Sequence, residues 1–308
     1  MNAARARDRA GEVQAFSAAL PYGCDPFAMT MHSDAPTLAA GADIDAGGHR
    51  TRYHEAGAGD TVLFVHGSGP GVTAWANWRN ALPAFAERFR VLAPDLLGFG
   101  NSARPAEIVY GKDVWVDHLL AFLDAKGVTR CHVVGNSLGG ALALALALRA
   151  PARVDRIVLM GAAGVSFPMT PGLEAVWGYE PSVDAMRELI GTYFAYDASL
   201  ATDDLVRMRY EASVQPGYQE SYARMFPAPR QRHLDALATP DDRLASIESP
   251  TLVLHGREDK VIPLAASLRI FALLPNADLH VFGRCGHWTM IERRDDFNTL
   301  VMRFLGGA

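Results

Sequence analysis

Cysteine is rare in this chain, and long hydrophobic runs are absent. Three cysteines, Cys24, Cys131 and Cys285, occur among 308 residues. Their odd number and irregular spacing argue against a disulfide framework and favour a reducing compartment, so we expect a cytoplasmic protein. The longest apolar run, Ala141 to Leu148, is much shorter than the roughly 20 residues that a membrane span requires. We therefore expect a buried helix there and no membrane as a partner.

An excess of positive charge is also missing. The chain has 29 Lys and Arg against 34 Asp and Glu, a formal net charge of −5 at pH 7. Because nucleic acids attract basic patches, this balance argues against a nucleic acid partner and favours a small-molecule substrate. The glycine-rich segment from His66 to Gly71 is not followed by the Gly-Lys-Ser/Thr of a phosphate-binding loop. We expect no cofactor.

The first residues lack the continuous apolar core of a secretory signal, since Arg5, Arg7, Arg9 and Glu12 interrupt it. We interpret residues 1–36 as an amino-terminal extension. The sequence leaves open whether this extension packs on the body of the protein or is partly disordered.

Six short apolar runs alternate with helical patterns along the chain. The runs are Thr61–His66, Arg90–Ala93, Cys131–Gly135, Arg156–Met160, Thr251–His255 and Leu279–Phe282. This alternation predicts the α/β class, with a mostly parallel central sheet and helices on both faces. Gly47 and Gly48, within residues 44–55, predict an antiparallel hairpin at the edge of the sheet.

The alternation stops between residues 165 and 233, where helical patterns dominate and prolines punctuate them. We predict a helical cap, or lid, over residues 165–233. It is inserted into an α/β core made of residues 37–164 and 234–308. An insertion at this point lies over the carboxyl ends of the strands, where open α/β sheets bind ligands.

The segment Gly135-Asn136-Ser137-Leu138-Gly139 has the Gly-x-Ser-x-Gly form of a nucleophile elbow. An apolar strand pattern precedes it, and a helical pattern rich in Ala and Leu follows it as far as Ala150. In such an elbow the serine lies on a strained turn between strand and helix, which exposes its hydroxyl. We predict that Ser137 is the nucleophile, the alternative being an incidental glycine-rich turn.

A serine nucleophile needs a base, and the base needs a third group that fixes its tautomer. Asp259 and His287 each follow a predicted strand, and the order Ser, Asp, His is typical of α/β-hydrolases. Glu258 is a rival acid, and Asp259 also has an alternative role in an ordinary turn or helix cap. A metal site at His280, Cys285 and His287 is disfavoured because further acidic or cysteine ligands are missing.

The oxyanion formed by attack on a carbonyl needs backbone N–H donors. The loop after the run Thr61–His66 can turn its backbone towards the nucleophile. We predict that the amides of Ser68 and Leu138 form the oxyanion hole.

These residues resemble a known family, the α/β-hydrolases that cleave carbon–carbon bonds in meta-cleavage products of aromatic degradation. The similar segments are His66 to Asn77, Asp95 to Gly100, Gly135 to Gly139, Arg207 to Arg232, His255 to Asp259 and Cys285 to Trp288. The resemblance covers about residues 41–305 and is strongest to 2-hydroxymuconate semialdehyde hydrolases. It implies the α/β-hydrolase fold, and it does not extend to the amino-terminal extension.

The resemblance also implies the activity and the site. Ser137, Asp259 and His287 match the family triad. The positions expected at the substrate are Gly67, Gly69, Asn77, Asn136, Ser199, Arg209 and Trp288. Members of the family hydrolyse the C5–C6 bond of 2-hydroxy-6-oxo-2,4-dienoates, and they are commonly dimeric or larger, so we expect a homo-oligomer.

The residues themselves give a reason to single out Arg209. At about 100° per residue, Leu205, Met208, Arg209 and Ala212 share one face of a helix, so the arginine lies among apolar positions and needs a partner. That partner is either a structural Asp of the cap or the carboxylate of a substrate, which a planar guanidinium binds well. Trp288 is similarly open between a core residue and a wall of the pocket.

Two rival functions stay open at this point: an ordinary carboxylesterase on the same fold, and a binding protein without activity. The sequence also leaves open the substituent on C6 of the substrate and the choice between an acyl-enzyme and direct attack by water.

Overall fold

A sheet of eight strands runs through residues 35–307, the part of the chain that the computed structural model describes. The strands are β1 (Ala42–Ala46), β2 (His49–Ala56), β3 (Thr61–Val65), β4 (Arg90–Pro94), β5 (Cys131–Asn136), β6 (Val154–Met160), β7 (Thr251–Gly256) and β8 (Ala277–Phe282). Their spatial order is β1-β2-β4-β3-β5-β6-β7-β8. β1 and β2 pair antiparallel, as do β2 and β4, and every later pairing is parallel. The predicted mostly parallel sheet is confirmed.

The predicted hairpin at the edge of the sheet is β1 and β2. Its turn consists of Gly47 and Gly48, with φ of 65° and 82°, and Ala46 pairs with His49 on either side. Two successive residues with positive φ match the right-handed twist of the two strands, and glycine adopts this backbone without strain.

Helices cover both faces of the central strands. As a result, all six residues of β5 and all six of β7 are buried. The core helices are α1 (Ala35–Ala40), α2 (Ala74–Trp78), α3 (Leu82–Ala86), α4 (Lys112–Ala125) and α5 (Leu138–Arg149) before the cap. After the cap they are α12 (Leu264–Leu273), α13 (Thr289–Glu292) and α14 (Arg294–Leu305). No helix in residues 35–307 is long and apolar enough to span a bilayer.

Between β6 and β7 the described chain is helical. The elements are α6 (Pro171–Trp177), α7 (Val183–Glu188), a π-helix (Leu189–Phe194), a 3₁₀ turn (Ala198–Leu200), α8 (Asp203–Ser213), α9 (Tyr218–Met225), α10 (Gln231–Leu237) and α11 (Asp241–Leu244). The predicted end of the cap, residue 233, falls inside α10. This helix continues because Leu234 and Leu237 are buried, and it ends shortly before Pro240, which cannot continue a helix.

The predicted amino-terminal extension, residues 1–36, lies almost entirely outside the described residues. Only its last two residues belong to the described part, where they form the start of α1.

Candidate active site

Ser137 lies between the end of β5 and the start of α5, with φ 54° and ψ −113°. This left-handed backbone is unusual for a residue with a side chain and marks a strained turn. A Cβ atom on Gly135 would lie 2.3 Å from the Gly139 carbonyl oxygen, and one on Gly139 would lie 2.1 Å from the Val65 carbonyl oxygen. Strand and helix approach this closely only because both flanking residues are glycine. The backbone therefore has the geometry that the elbow motif predicts.

Asp259 and His287 form a buried pair at the ends of β7 and β8. The Asp259 Oδ2 accepts a hydrogen bond of 2.7 Å from the His287 Nδ1, and the two side chains are only 1% and 3% exposed. The other oxygen, Oδ1, accepts the amides of Val261 (2.8 Å) and Ile262 (2.9 Å). Because Nδ1 carries the proton in this pair, Nε2 is the atom that is able to accept a proton.

Glu258, the rival acid, points elsewhere. Its Oε2 accepts the Cys285 amide (3.0 Å), and its Oε1 accepts the Arg257 side chain (2.8 Å). The geometry therefore pairs His287 with Asp259 and not with Glu258.

Ser137 and His287 line one small cavity of about 10 Å³ beneath the cap. Nine of the residues that the sequence predicts for the site line it: Gly67, Ser68, Gly69, Asn77, Asn136, Ser137, Arg209, His287 and Trp288. Five residues that the sequence did not predict complete the wall: Val72, Leu173, Val176, Phe194 and Val261. The cavity is thus polar near the glycine-rich loop and apolar where α6 and Val261 face it.

The two predicted oxyanion donors are available. Neither the Ser68 amide nor the Leu138 amide donates a hydrogen bond to another residue of the described range. Ser68 is held from the cap, because the Trp177 indole donates to its Oγ (2.9 Å) and the Tyr222 hydroxyl donates to its carbonyl oxygen (2.9 Å). These contacts fix the orientation of the loop before a substrate binds, as oxyanion stabilisation requires.

Arg209 enters the cavity from α8 and is 4% exposed. Within residues 35–307 Arg209 forms no salt bridge, and its Nε has no hydrogen-bond partner. The Nδ2 atom of Asn77 also has no hydrogen-bond partner there. Its guanidinium carbon lies 5.5 Å from the centre of the Trp288 ring. Burial lowers the pKa of Arg209 to about 10, so the side chain is still charged at neutral pH. A buried cation without an internal partner is costly, and an anionic ligand would remove that cost.

The predicted orientation of α8 is only partly right. Its buried residues are Val206, Arg209 and Ser213, whereas Leu205, Met208 and Ala212 are half-buried. Polar residues therefore lie on the buried face, where groups outside the helix meet them. Arg209 lines the cavity, and the Ser213 hydroxyl lies 3.2 Å from the Tyr179 hydroxyl.

The structure does not bring Ser199 to the cavity, contrary to the prediction. Ser199 is exposed and lines a surface cleft together with Tyr196 and Arg284. Its amide donates to the Asp197 side chain (2.9 Å) in a turn that faces outward. The neighbouring cap residue in the wall is instead Phe194, whose ring stacks on Trp288 with centroids 4.5 Å apart. Trp288 is therefore a wall of the cavity as well as a packed aromatic residue.

Two histidines in or beside the central strands, His66 and His255, are structural. His255 contacts the Ser267 hydroxyl (2.8 Å) and the Ile262 carbonyl oxygen (3.1 Å). His66 contacts the Gly67 carbonyl oxygen (2.7 Å) and accepts the Leu96 amide (2.9 Å). Each of these rings uses both nitrogens within the fold, so neither is free to act on a substrate.

Comparison with known proteins finds relatives that belong to one family. A family model described as alpha/beta hydrolase fold matches residues 60–294. The 2-hydroxy-6-oxo-2,4-heptadienoate hydrolase of Pseudomonas putida strain F1 is 57% identical over 265 residues, which cover 86% of this chain and 96% of the relative. The 2-hydroxymuconate semialdehyde hydrolase of Pseudomonas sp. strain CF600 is 54% identical over 280 residues, which cover 91% and 98%.

A solved structure agrees with these sequences. It is a variant of a meta-cleavage product hydrolase from Pseudomonas fluorescens IP01, complexed with acetates, and it matches with a TM-score of 0.86 and 55% identity. The match covers 87% of this chain and 98% of that one. The elbow, the Asp–His pair and the capped sheet occur here in a chain that is more than half identical to these enzymes, so it belongs to the α/β-hydrolase family and, within it, to the meta-cleavage product hydrolases.

Proposed function

We propose that this enzyme hydrolyses the C5–C6 bond of 2-hydroxy-6-oxo-2,4-dienoates that carry a small group on C6. One observation carries the proposal: the cavity that contains Ser137 and His287 also contains a buried arginine without a partner in the described chain. A carboxylate-bearing substrate supplies that partner, and a neutral ester does not. The names of the two curated relatives support the same class of substrate.

The mechanism that we propose gives each of these groups a separate task. Arg209 and the Asn77 amide bind the substrate carboxylate, which places the distal carbonyl near Ser137. His287 assists transfer of the C2 hydroxyl proton to C5, which converts the dienol into a ketone and prepares C5 as a leaving carbon. The ketone at C2 later accepts the electron pair of the broken bond.

Hydrolysis then needs a nucleophile at C6. The Ser137 hydroxyl gives its proton to His287 Nε2 and attacks C6, and the amides of Ser68 and Leu138 stabilise the oxyanion. The C5–C6 bond breaks, its electrons pass to the C2 oxygen as a dienolate, and His287 gives the proton taken from Ser137 to this dienolate. Water activated by His287 then releases the C6 fragment as a carboxylic acid and regenerates Ser137. Every atom of water and substrate appears in the two acids that leave.

The replacement Arg209→Ala tests the carboxylate clamp. Loss of a buried charged partner typically costs 2 to 5 kcal/mol, so we expect kcat/KM for the dienoate to fall by about 30-fold or more. Hydrolysis of p-nitrophenyl acetate should stay within about threefold of wild type, because this ester has no carboxylate. Arg207→Ala is the matched control, since Arg207 lies on the same helix and is exposed. Equal losses on both substrates would remove the basis for the clamp.

The apolar part of the cavity supports a small substituent on C6. Leu173, Val176 and Val261 face it, and these branched side chains fill the space that an aryl ring would need. We expect kcat/KM to be highest for 6-hydrido or 6-methyl dienoates and to decrease through 6-isopropyl to 6-phenyl. Loss of the yellow chromophore of the dienoate measures this series directly. A 6-phenyl substrate turned over as well as the 6-methyl one would contradict the size limit.

Cytoplasmic location and assembly into a homo-oligomer, a dimer or larger, stay predictions. Two large apolar side chains that are three residues apart on α12, Leu268 and Phe271, are 47% and 38% exposed, and such a pair suits a contact between subunits. Light scattering after size exclusion should give a multiple of the 33.3 kDa chain mass. A monomer at micromolar concentration would end this proposal.

A further inference from the structure

One carboxylate outside the triad joins the cap to the loop that carries the catalytic histidine. Glu292 ends α13, shortly after His287 in sequence. Its Oε1 accepts a hydrogen bond from the Gly286 amide (2.8 Å), and its Oε2 accepts one from the Tyr196 amide of the cap (2.8 Å). Tyr196 and Glu292 are 96 residues apart in the chain. A single side chain therefore holds two segments from different parts of the fold.

The two segments also touch each other directly. The His287 amide donates to the Phe194 carbonyl oxygen (2.7 Å), and a Cβ atom on Gly286 would lie 2.5 Å from that same oxygen. The Phe194 ring stacks on His287 with centroids 5.9 Å apart, as well as on Trp288. Any movement of the cap segment Phe194–Tyr196 would therefore move the wall of the cavity and the histidine together.

The partners of Glu292 indicate what its carboxylate does. Within the described chain it forms no salt bridge, and the groups that hydrogen-bond to it are backbone amides. Burial raises the pKa of Glu292, and the amide donors act in the opposite direction. A partly buried carboxylate with amide donors from two segments serves to fix backbone geometry, because charge-assisted hydrogen bonds are strong and directional.

We propose that Glu292 is a positioning residue for hydrolysis: it ties Phe194–Tyr196 of the cap to the loop 283–288, and so holds His287 in line with Ser137 and Phe194 against Trp288. For the dienoate reaction this rests on the proposed function; for ester hydrolysis it rests only on the triad. Misplacement of a catalytic group by about 1 Å can cost about 100-fold in rate.

The replacement Glu292→Gln tests the proposal, because glutamine has the same length but only one acceptor oxygen, so its NH₂ group faces one of the two amides. We expect kcat at 15 °C to fall by about 10- to 100-fold for both the dienoate and p-nitrophenyl acetate, with KM for the ester changed less than about threefold. Glu258→Gln is the matched control, because Glu258 bonds the same loop through the Cys285 amide but has no hydrogen bond to the cap.

A second pair of variants tests the link from the cap side. Tyr196→Pro removes the N–H that Glu292 binds, and Ala195 already has the extended backbone (φ −98°, ψ 145°) that a following proline requires. Tyr196→Ala keeps the N–H and removes only an exposed side chain. We expect the proline variant to lose kcat as Glu292→Gln does, and the alanine variant to stay within threefold of wild type. This pair decides the question if Glu292→Gln does not fold.

Three results separate the possible explanations. Folded Glu292→Gln or Tyr196→Pro with kcat within threefold of wild type overturns the proposal, whatever happens to Tm. The proposal is also overturned if kcat falls as much in Glu258→Gln as in Glu292→Gln, or as much in Tyr196→Ala as in Tyr196→Pro. The loss of kcat would then not depend on the link to the cap. If the wild-type enzyme does not hydrolyse the dienoate, the proposed function is refuted. The kcat values for the ester still decide the role of Glu292.

Discussion

Asp259 uses its two oxygens for different purposes, and this determines how a substitution there acts. Oδ1 is committed to the amides of Val261 and Ile262, whereas Oδ2 faces the His287 ring. The amides place the carboxylate, and the ring receives its orientation from it. Removing the charge without changing the shape therefore separates the structural function of the side chain from the function in catalysis that we propose for it.

The replacement Asp259→Asn should lower kcat by about 10⁴-fold. Asparagine must keep its carbonyl oxygen towards the two amides, so its NH₂ group faces His287 Nδ1. The ring then carries its proton on Nε2 and is unable to accept the proton of Ser137. Steady-state kinetics on the dienoate or on p-nitrophenyl acetate measures the loss, and urea unfolding should show a change of only about 1 kcal/mol, the usual value for one hydrogen bond.

Asp155→Asn is the comparison for that experiment. Asp155 also pairs with a histidine, His132 (3.2 Å), but it lies at the start of β6 and its side chain is 35% exposed. This variant should retain wild-type kcat within about twofold. An Asp259→Asn enzyme with more than a tenth of wild-type kcat would show that the tautomer of His287 is not controlled by this carboxylate.

At the scale of elements, the elbow depends on contacts that glycine alone permits. A Cβ atom on Gly139 would meet the Val65 carbonyl oxygen, a backbone atom that has no freedom to move aside. We expect Gly139→Ala to lower the free energy of unfolding by about 3 kcal/mol, the upper range for overpacking in a core, and to lower kcat because Ser137 shifts with the helix. Urea unfolding followed by circular dichroism, together with kinetics, measures both effects.

Gly111→Ala is the control for the elbow. Gly111 has extended backbone (φ 179°) that any residue adopts, and a Cβ atom there meets nothing within 4 Å. Its free energy of unfolding should stay within about 0.5 kcal/mol of wild type. If the two alanine variants were equally stable, the close approach of β3 and α5 would not restrict position 139.

Local patterns in the sequence predicted the elements well and their contacts less well. The predicted runs differ from β3 to β8 by at most two residues at either end, because buried strands carry an apolar signal of their own. The rotation of α8 and the outward turn at Ser199 were missed, since both depend on what lies opposite them. The hydrogen bond from Tyr196 to Glu292 has no local signal at all, because the two residues belong to different segments of the chain.

At the scale of the whole molecule, buried titratable groups make stability depend on pH. His66 accepts the Leu96 amide and His118 accepts the Leu97 amide (3.3 Å), and a ring that accepts a hydrogen bond must be neutral. Burial lowers the pKa of each to about 4 from 6.5. Below pH 6.5 the unfolded chain therefore binds protons that the folded chain does not bind. The free energy of unfolding decreases as the pH decreases towards 4.

Asp95 has the opposite effect. Burial raises its pKa to about 6 from 3.8, although it accepts the Ala74 and Asn101 amides (2.5 and 2.7 Å). The folded protein therefore holds a proton on Asp95 that the unfolded chain releases, and this contribution to stability is lost as the pH rises from 4 to 6. Two histidines outweigh one aspartate, so the free energy of unfolding of the wild type should decrease from pH 7.5 to pH 4.5.

The replacement His118→Gln isolates one of these contributions. Glutamine can still donate to Thr51 and accept the Leu97 amide, but it does not titrate. The wild type should be the more stable protein at pH 7.5, and its advantage should shrink by about 2.5 kcal/mol by pH 4.5, because only the unfolded chain takes up this proton over the roughly two pH units from 6.5 to 4.5, at about 1.36 kcal/mol per unit. Asp95→Asn should give a difference of the opposite sign, with the wild-type advantage larger by about 2 kcal/mol at pH 4.5 than at pH 7.5. Urea unfolding at both pH values measures the two differences. If the free energies of unfolding of wild type and His118→Gln changed equally with pH, His118 would take up its proton equally in the folded and unfolded states. The inference from the Leu97 contact that the ring is neutral would then be wrong.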